Sequence, residues 1–252
     1  MSDTATLTVP TNRDEDWRYS DSAWLASADA DAVHTWRNVT VPAGETLREV
    51  LGDSGDAVER VRVKVGKGGR YEAFGVLDSG EFARVEVEAT LDEGAHFEFG
   101  GVTIGGKTST REFVTRVVHA HPNGTSNQTV RAVQWGQSTG NFLGRIEVVK
   151  DAQKTDAAQN FRAILLEKGA TANTKPELEI FADDVQCAHG AAIGQLDEMA
   201  RYYMASRGLP PAVARKLLVQ AFIGDAFVAC DDDAMRDALM VQALAKLDEA
   251  TL

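Results

Sequence analysis

The chain has 252 residues, 44% of them hydrophobic and 25% charged, with a formal net charge of −12. Such totals are those of a soluble globular protein with room for one large or two modest domains. They argue against nucleic acid and anionic membrane as partners, because both are bound through clustered Lys and Arg, and no basic tract interrupts this acidic sequence.

The first twenty residues, MSDTATLTVPTNRDEDWRYS, contain no apolar core of a secretory signal. No uncharged apolar run approaches the roughly eighteen residues that a membrane helix needs. The two cysteines, Cys187 and Cys230, make no disulfide framework, so a reducing cytoplasm is the expected location. Residues 1–36 read as a polar, irregular segment with Trp17, Tyr19, Trp24 and Trp36 as anchors.

From residue 37 the texture is that of strands. RVRVKV (60–65) alternates, with Val61, Val63 and Val65 on one face, and RVEVEA (84–89) repeats the pattern through Val85 and Val87. TVRAVQW (129–135), GRIEVV (144–149), RAILLEKG (162–169) and LEIFADDVQC (178–187) follow, separated by Gly, Asn, Asp and Thr. Steps of 16, 18 and 14 positions separate Val130, Ile146, Ile164 and Leu178, which fit no fixed hexapeptide or nonapeptide repeat. Short strands between turn residues, with no helical period before Gly194, predict an all-β core over 37–194: a solenoid, a sandwich or a jelly roll. Adjacent apolar residues in AILLE favour strands covered on both sides, as in a solenoid or sandwich.

After Gly194 the period becomes helical. LDEMARYYMASRG places acids in the first turn and Arg207-Gly208 at the end. LPPAVARKLLVQAFIGDAF opens on prolines and spaces Val213, Leu217, Leu218, Ala221 and Phe222 on one stripe. DDDAMRDALMVQALAKLDEATL begins with three acids, which a helix N-terminus favours. The expected architecture is a β core followed by a helical domain over 195–252.

Two catalytic motifs match in letters and fail in context. GVTIGGKT (101–108) has the spacing of a phosphate-binding loop, but STREFVTRVVHA after it alternates like a strand, where that loop needs a helix N-terminus. GQSTG (136–140) has the spacing of a nucleophile elbow, but NFLGRIEVV after it is again a strand. Both read as glycine-rich turns between strands. His119 and His121, in VVHAHP, could present two imidazoles to a metal, or be solvated at a strand end. His34 and His96 have no evident companions, and Cys230 is most simply a small buried hydrophobe.

Cys187 and His189 are two apart in VQCAHGAA, so on a strand they share a face. Thiolate and imidazole suit zinc, copper or iron. A closed site needs about four protein ligands, and one Cys with one His cannot supply them. Either no site exists, or a second chain completes it.

The segment GRIEVVKDAQKTDAAQNFRAILLEKGATANTKPELEIFADDVQCAHGAAIGQLDEMARYYMASRGL (144–209) closely resembles the SufB/SufD family of iron–sulfur cluster assembly proteins, on its SufD branch. EDWRYS (15–20) is similar to a Trp-Arg/Lys-Tyr-Ser/Thr element near the start of SufD-like chains. The resemblance implies a right-handed parallel β-helix core with a C-terminal helical domain. It further implies a non-catalytic scaffold in a SufBCD-type complex, pairing with a SufB-like subunit through the β-helix and docking a SufC-like ATPase on helices around 209–230. No tightly bound cofactor is implied, only a nascent iron–sulfur cluster or iron at a subunit interface. His189 matches the family histidine and is the candidate metal ligand there, with Cys187 a second candidate. The resemblance weakens over 37–110, and the helical N-terminal region usual in the family has no evident counterpart.

Two other functions remain in play. One is a homodimeric metal-binding or structural β-solenoid, in which two copies of Cys187 and His189 meet across a twofold axis. The other is a β-solenoid enzyme acting on a sugar or acyl substrate through His119 or His121, with acid pairs such as Asp183-Asp184 or Asp92-Glu93.

Overall fold

The computed structural model describes residues 8–52 and 57–250. Residues 1–7 of the N-terminal segment and 251–252 of the helical tail lie outside that description. Twelve strands follow one another. They are β1 (Arg37–Val41), β2 (Thr46–Leu51), β3 (Val58–Val65), β4 (Arg70–Leu77), β5 (Phe82–Leu91) and β6 (His96–Gly105). Then come β7 (Thr110–His119), β8 (Thr125–Gln134), β9 (Thr139–Val148), β10 (Asp156–Leu165), β11 (Thr171–Ile180) and β12 (Gln186–Gly194).

Odd-numbered strands form one six-stranded sheet and even-numbered strands another, each strand pairing in parallel with the strand two further on. The chain therefore coils as a parallel β-solenoid, alternating between its two sheets. Alternation sets the faces. On the odd sheet Val61, Val63, Val85, Val87, Phe113, Val117, Phe142 and Ile146 point inward and are buried. On the even sheet the rings of Tyr71 and Phe97, paired in register, stack at 6.0 Å between centroids, a favourable offset geometry. The outer faces are largely covered too, which is why β4 and β6 are buried almost end to end.

Two different covers sit on those outer faces. The N-terminal segment expected to be irregular carries short helical pieces over Glu15–Trp17, α1 (Ser22–Ser27) and α2 (Ala30–His34). The Asp21 carboxylate starts α1 by accepting from the Ala23 and Trp24 amides at 2.8 and 2.9 Å. Below this segment the buried Arg84 donates to Glu112 at 2.7 Å and to Glu86 at 3.0 Å, and its guanidinium lies 3.8 Å from the Trp17 ring centre. Ser20 donates to the same Glu112 at 2.9 Å, tying the EDWRYS element to the odd sheet.

Three C-terminal helices follow, α3 (Glu198–Ser206), α4 (Pro211–Gly224) and α5 (Asp233–Leu247), with a 3-10 turn over Asp225–Phe227. The even sheet is covered by α4, α5 and the turn, while α3 packs on α4 and buries none of its own residues. Val219, Ile223, Phe227, Leu239, Ala243 and Leu247 pack on Phe74, Val76, Val102, Ile104, Val133 and Trp135. Arg131 adds a charged tie, its Nε donating to Asp225 at 3.0 Å. Among the described residues no helix is long and apolar enough to cross a membrane.

Candidate functional site

The site is built at the end of the coil. β11 and β12 are the last strands of their sheets, paired on one side only, with β9 and β10 respectively. A parallel strand with one partner presents half its amides and carbonyls to whatever lies beyond, which is a template for another strand. β12 carries both sequence-predicted ligands.

Register decides which way they face. Cys187 pairs with Ala157 and His189 with Gln159, and both Ala157 and Gln159 are buried inward-facing residues. Cys187 and His189 therefore point towards the solenoid interior, on its last rung, where no further coil closes over them. Following the register backwards, His189 sits above Gln159, Gln128 and Phe99 in one column, and Cys187 above Ala157, Ser126 and Phe97 in the next. The His189 column thus changes from aromatic to polar towards the open end, while Phe142 and Phe161 keep the neighbouring interior aromatic.

The two residues differ in setting. Cys187 is half-buried and packs on a small cluster of Ile146, Val148, Ala152 and Ala157. Burial, with the Asp156 carboxylate nearby, pushes its thiol pKa up, so an approaching cation would be needed to draw out the thiolate. His189 is exposed. Beneath it Gln159 donates to the Glu177 carbonyl at 3.2 Å, while its Oε1 is buried with no partner. Among the described residues no three or more His, Cys, Asp or Glu side chains are grouped as a metal site. One rung of this chain supplies two candidate ligands and no more.

The other sequence candidates are dispersed. His119 is buried against Ser126 Oγ at 3.0 Å, whereas His121 lies exposed, 3.7 Å from Asp92. They do not form a pair. His34 bonds the Thr8 carbonyl at 3.0 Å, and His96 bonds Thr125 at 2.7 Å. Ser138 of GQSTG is fully buried in a turn between β8 and β9, its hydroxyl bonding the Gly105 carbonyl at 2.7 Å, so no exposed nucleophile stands there. GVTIGGKT runs from β6 into the turn before β7, with no helix after it. The acid pairs are engaged at the surface: Glu93 takes Lys67 at 2.6 Å, and Asp184 is ion-paired with Lys154.

Sequence reasoning singled out the ligands but not the edge around them. Ile180, Phe181 and Ile193 are exposed apolar residues at the ends of β11 and β12. They adjoin the strands that are paired on one side only. A second uncovered group lies on the helices, where Met199, Tyr202 and Tyr203 of α3, Val213 and Leu217 of α4, Val228, and Val241 of α5 are exposed.

A family model described as the SufBD core domain of the SUF system for FeS cluster assembly matches residues 49–222. Among curated proteins, an iron–sulfur cluster assembly SufBD family protein of Synechocystis is 35% identical over 176 residues, covering 69% of this chain and 39% of that protein. The iron–sulfur cluster assembly protein SufD of Bacillus subtilis is 26% identical over 151 residues, 60% of this chain and 35% of that one. SufD of Escherichia coli is 36% identical over 101 residues, 40% of this chain and 24% of that one. The matched regions span 39% of these relatives or less.

Proposed function

This chain belongs to the SufBD family of iron–sulfur cluster assembly proteins, and from that premise we propose that it is a scaffold subunit that completes a cluster-assembly site across an interface with a second, SufB-like solenoid. The observation that carries this reading is the unpaired last rung. It offers backbone edges on β11 and β12, apolar residues beside them, and two metal-ligand side chains on one face of β12. A partner strand added there satisfies the edges and brings its own ligands up to His189 and Cys187.

In this role the cluster or its iron is cargo. His189 is the primary ligand, since an exposed imidazole on the open rung can turn to a cation without unpacking anything. Cys187 is a second ligand that needs the metal's charge to ionise. The chain itself carries out no turnover. Driving energy comes from a SufC-like ATPase docked on the exposed apolar faces of α3 and α4, and a cytoplasmic setting keeps Cys187 reduced.

The test is co-expression with SufB-like and SufC-like subunits from the same genome. Co-purification of the three, with iron and sulfide bound, and loss of most of the iron on His189→Ala without loss of the complex, is the expected result. A chain that captures neither subunit refutes the scaffold role. A complex whose iron content is indifferent to His189→Ala leaves that histidine no part in holding the cargo. A twofold assembly of this chain alone with bound metal points instead to the homodimer.

A further inference from the structure

The glycine-rich turn that fails as a phosphate-binding loop lines a cavity of about 390 Å3 between the solenoid and the end of α5. Its floor is Arg111, which is 2% exposed. Arg111 Nη2 donates to the carbonyls of Asp78 and Gly80 at 3.0 and 3.1 Å, Nη1 donates to Ser109 Oγ, and Nε is buried with no partner. Among the described residues no carboxylate forms an ion pair with this guanidinium. Burial pushes its pKa down to about 10, with the Asp78 and Glu249 charges opposing that shift, so it stays charged at neutral pH. A buried cation held only by carbonyls and a hydroxyl is costly unless an anion joins it.

The surroundings complete the description. Lys107 and Lys246 line the same cavity, and Trp135 forms an apolar wall. Two carboxylates also line it, Glu81 and Glu249. Lys246 holds Glu249 at 2.7 Å, and the Glu249 charge also acts on Lys107 and Arg111. Gln242 lies 3.3 Å from the Asp78 carboxylate nearby. The paired glycines have a spatial reason: a Cβ on Gly105 would meet Arg111 Nη1 at 1.9 Å, and one on Gly106 would meet Trp135 Nε1 at 2.0 Å. They let a guanidinium and an indole lie against the turn.

We propose that this cavity is a binding site for a small molecule bearing an oxyanion group, contacted by Arg111 and Lys107, with its less polar part against Trp135. The volume lies within the range of small-ligand sites, and side chains take the part that backbone amides and a helix N-terminus play in a phosphate-binding loop. A chain of net charge −12 has no general affinity for anions, so binding here is local.

The experiment is calorimetric titration of the full chain with inorganic pyrophosphate and, separately, with citrate at fixed ionic strength. Saturable one-to-one binding of either is expected, and which binds tighter separates phosphate from carboxylate chemistry. Lys107→Glu, on an exposed turn position, weakens that binding about tenfold or more, the scale of one lost charge-assisted hydrogen bond. Lys150→Glu, an exposed charge reversal outside the cavity, leaves it unchanged. Arg111→Met abolishes it in any preparation whose circular dichroism and melting remain native. Absence of saturable binding for both anions, or equal weakening by Lys107→Glu and Lys150→Glu, overturns the proposal.

Discussion

Replacing Gly100 by alanine tests how closely the helical cap is seated on the solenoid. Gly100 faces outward on β6, and a Cβ there would lie 2.1 Å from the Ala226 carbonyl oxygen and 2.6 Å from Phe74 Cδ1. Ordinary carbon contacts need more than about 3.4 Å, so the 3-10 turn must lift by about 1 Å or more. That lift takes with it the well-packed Phe227, which is fully buried, and strains the Arg131–Asp225 tie. Overpacking of this kind costs about 1–3 kcal/mol, and backbone on one side of the clash places it at the upper end. For a chain of this size 3 kcal/mol corresponds to a fall in Tm of about 6–12 °C. Calorimetry measures that fall, and hydrogen exchange locates it, with faster exchange expected in α4 and α5 and unchanged exchange in β5 and β7. The control is Gly194→Ala, where nothing lies within 4 Å of the added carbon. A Gly100→Ala chain that melts with the parent, its helices equally protected, would show that the cap does not rest on this strand.

His119 makes stability depend on pH in a definite direction. Burial, helped by His96, holds its pKa at about 4 against an ordinary 6.5, so the unfolded chain takes up a proton that the folded chain refuses. Its contribution is therefore intact above about pH 6.5 and is lost as pH falls towards 4, by about 3 kcal/mol in total. Denaturant unfolding of the parent and His119→Gln between pH 7 and 4.5 should show a steeper loss in the parent; parallel curves would refute the assignment. Asp225→Ala strips the buried Arg131 of its only carboxylate partner among the described residues and should cost about 2–4 kcal/mol, more than Arg131→Met, which leaves a half-exposed aspartate. Equal losses in urea unfolding would mean that the pair acts by packing alone.

The strands were legible wherever a solvent-facing polar residue separated inward-facing valines, as in RVRVKV and RVEVEA. They were less legible where the outer face is covered too. β6, with HFEFGGVTIG buried nearly throughout, reads by its letters as a phosphate-binding motif, because nothing local says that a helical cap will lie on it. The repeat was also hidden. Steps of 14 to 18 residues between successive strands are half-coils on alternate sheets. The true neighbours, Val39 and Val63, Val61 and Val87, Val87 and Thr115, Thr115 and Gly144, Gly144 and Pro176, lie 24, 26, 28, 29 and 32 residues apart. A coil that lengthens as it goes leaves no fixed period to find. His189 and Cys187 stood out by residue type, whereas their place on an open last rung depends on the count of coils, which no window of sequence contains. The Arg84–Glu112 network and the Arg111 cavity join residues separated by tens of positions, and carried no local signal.

The coil is narrow at one end and broad at the other: β1 and β2 have 5 and 6 residues, whereas β11 and β12 have 10 and 9. Copies stacking head to tail would set a short pair of strands on a long pair and strand up to half of the wider edge without mates, so an endless fibre is disfavoured at every joint. Two broad ends meeting face to face match in width and leave nothing over. The taper thus works against runaway polymerisation of an open β-edge, and it suits the broad end to the single pairing proposed above.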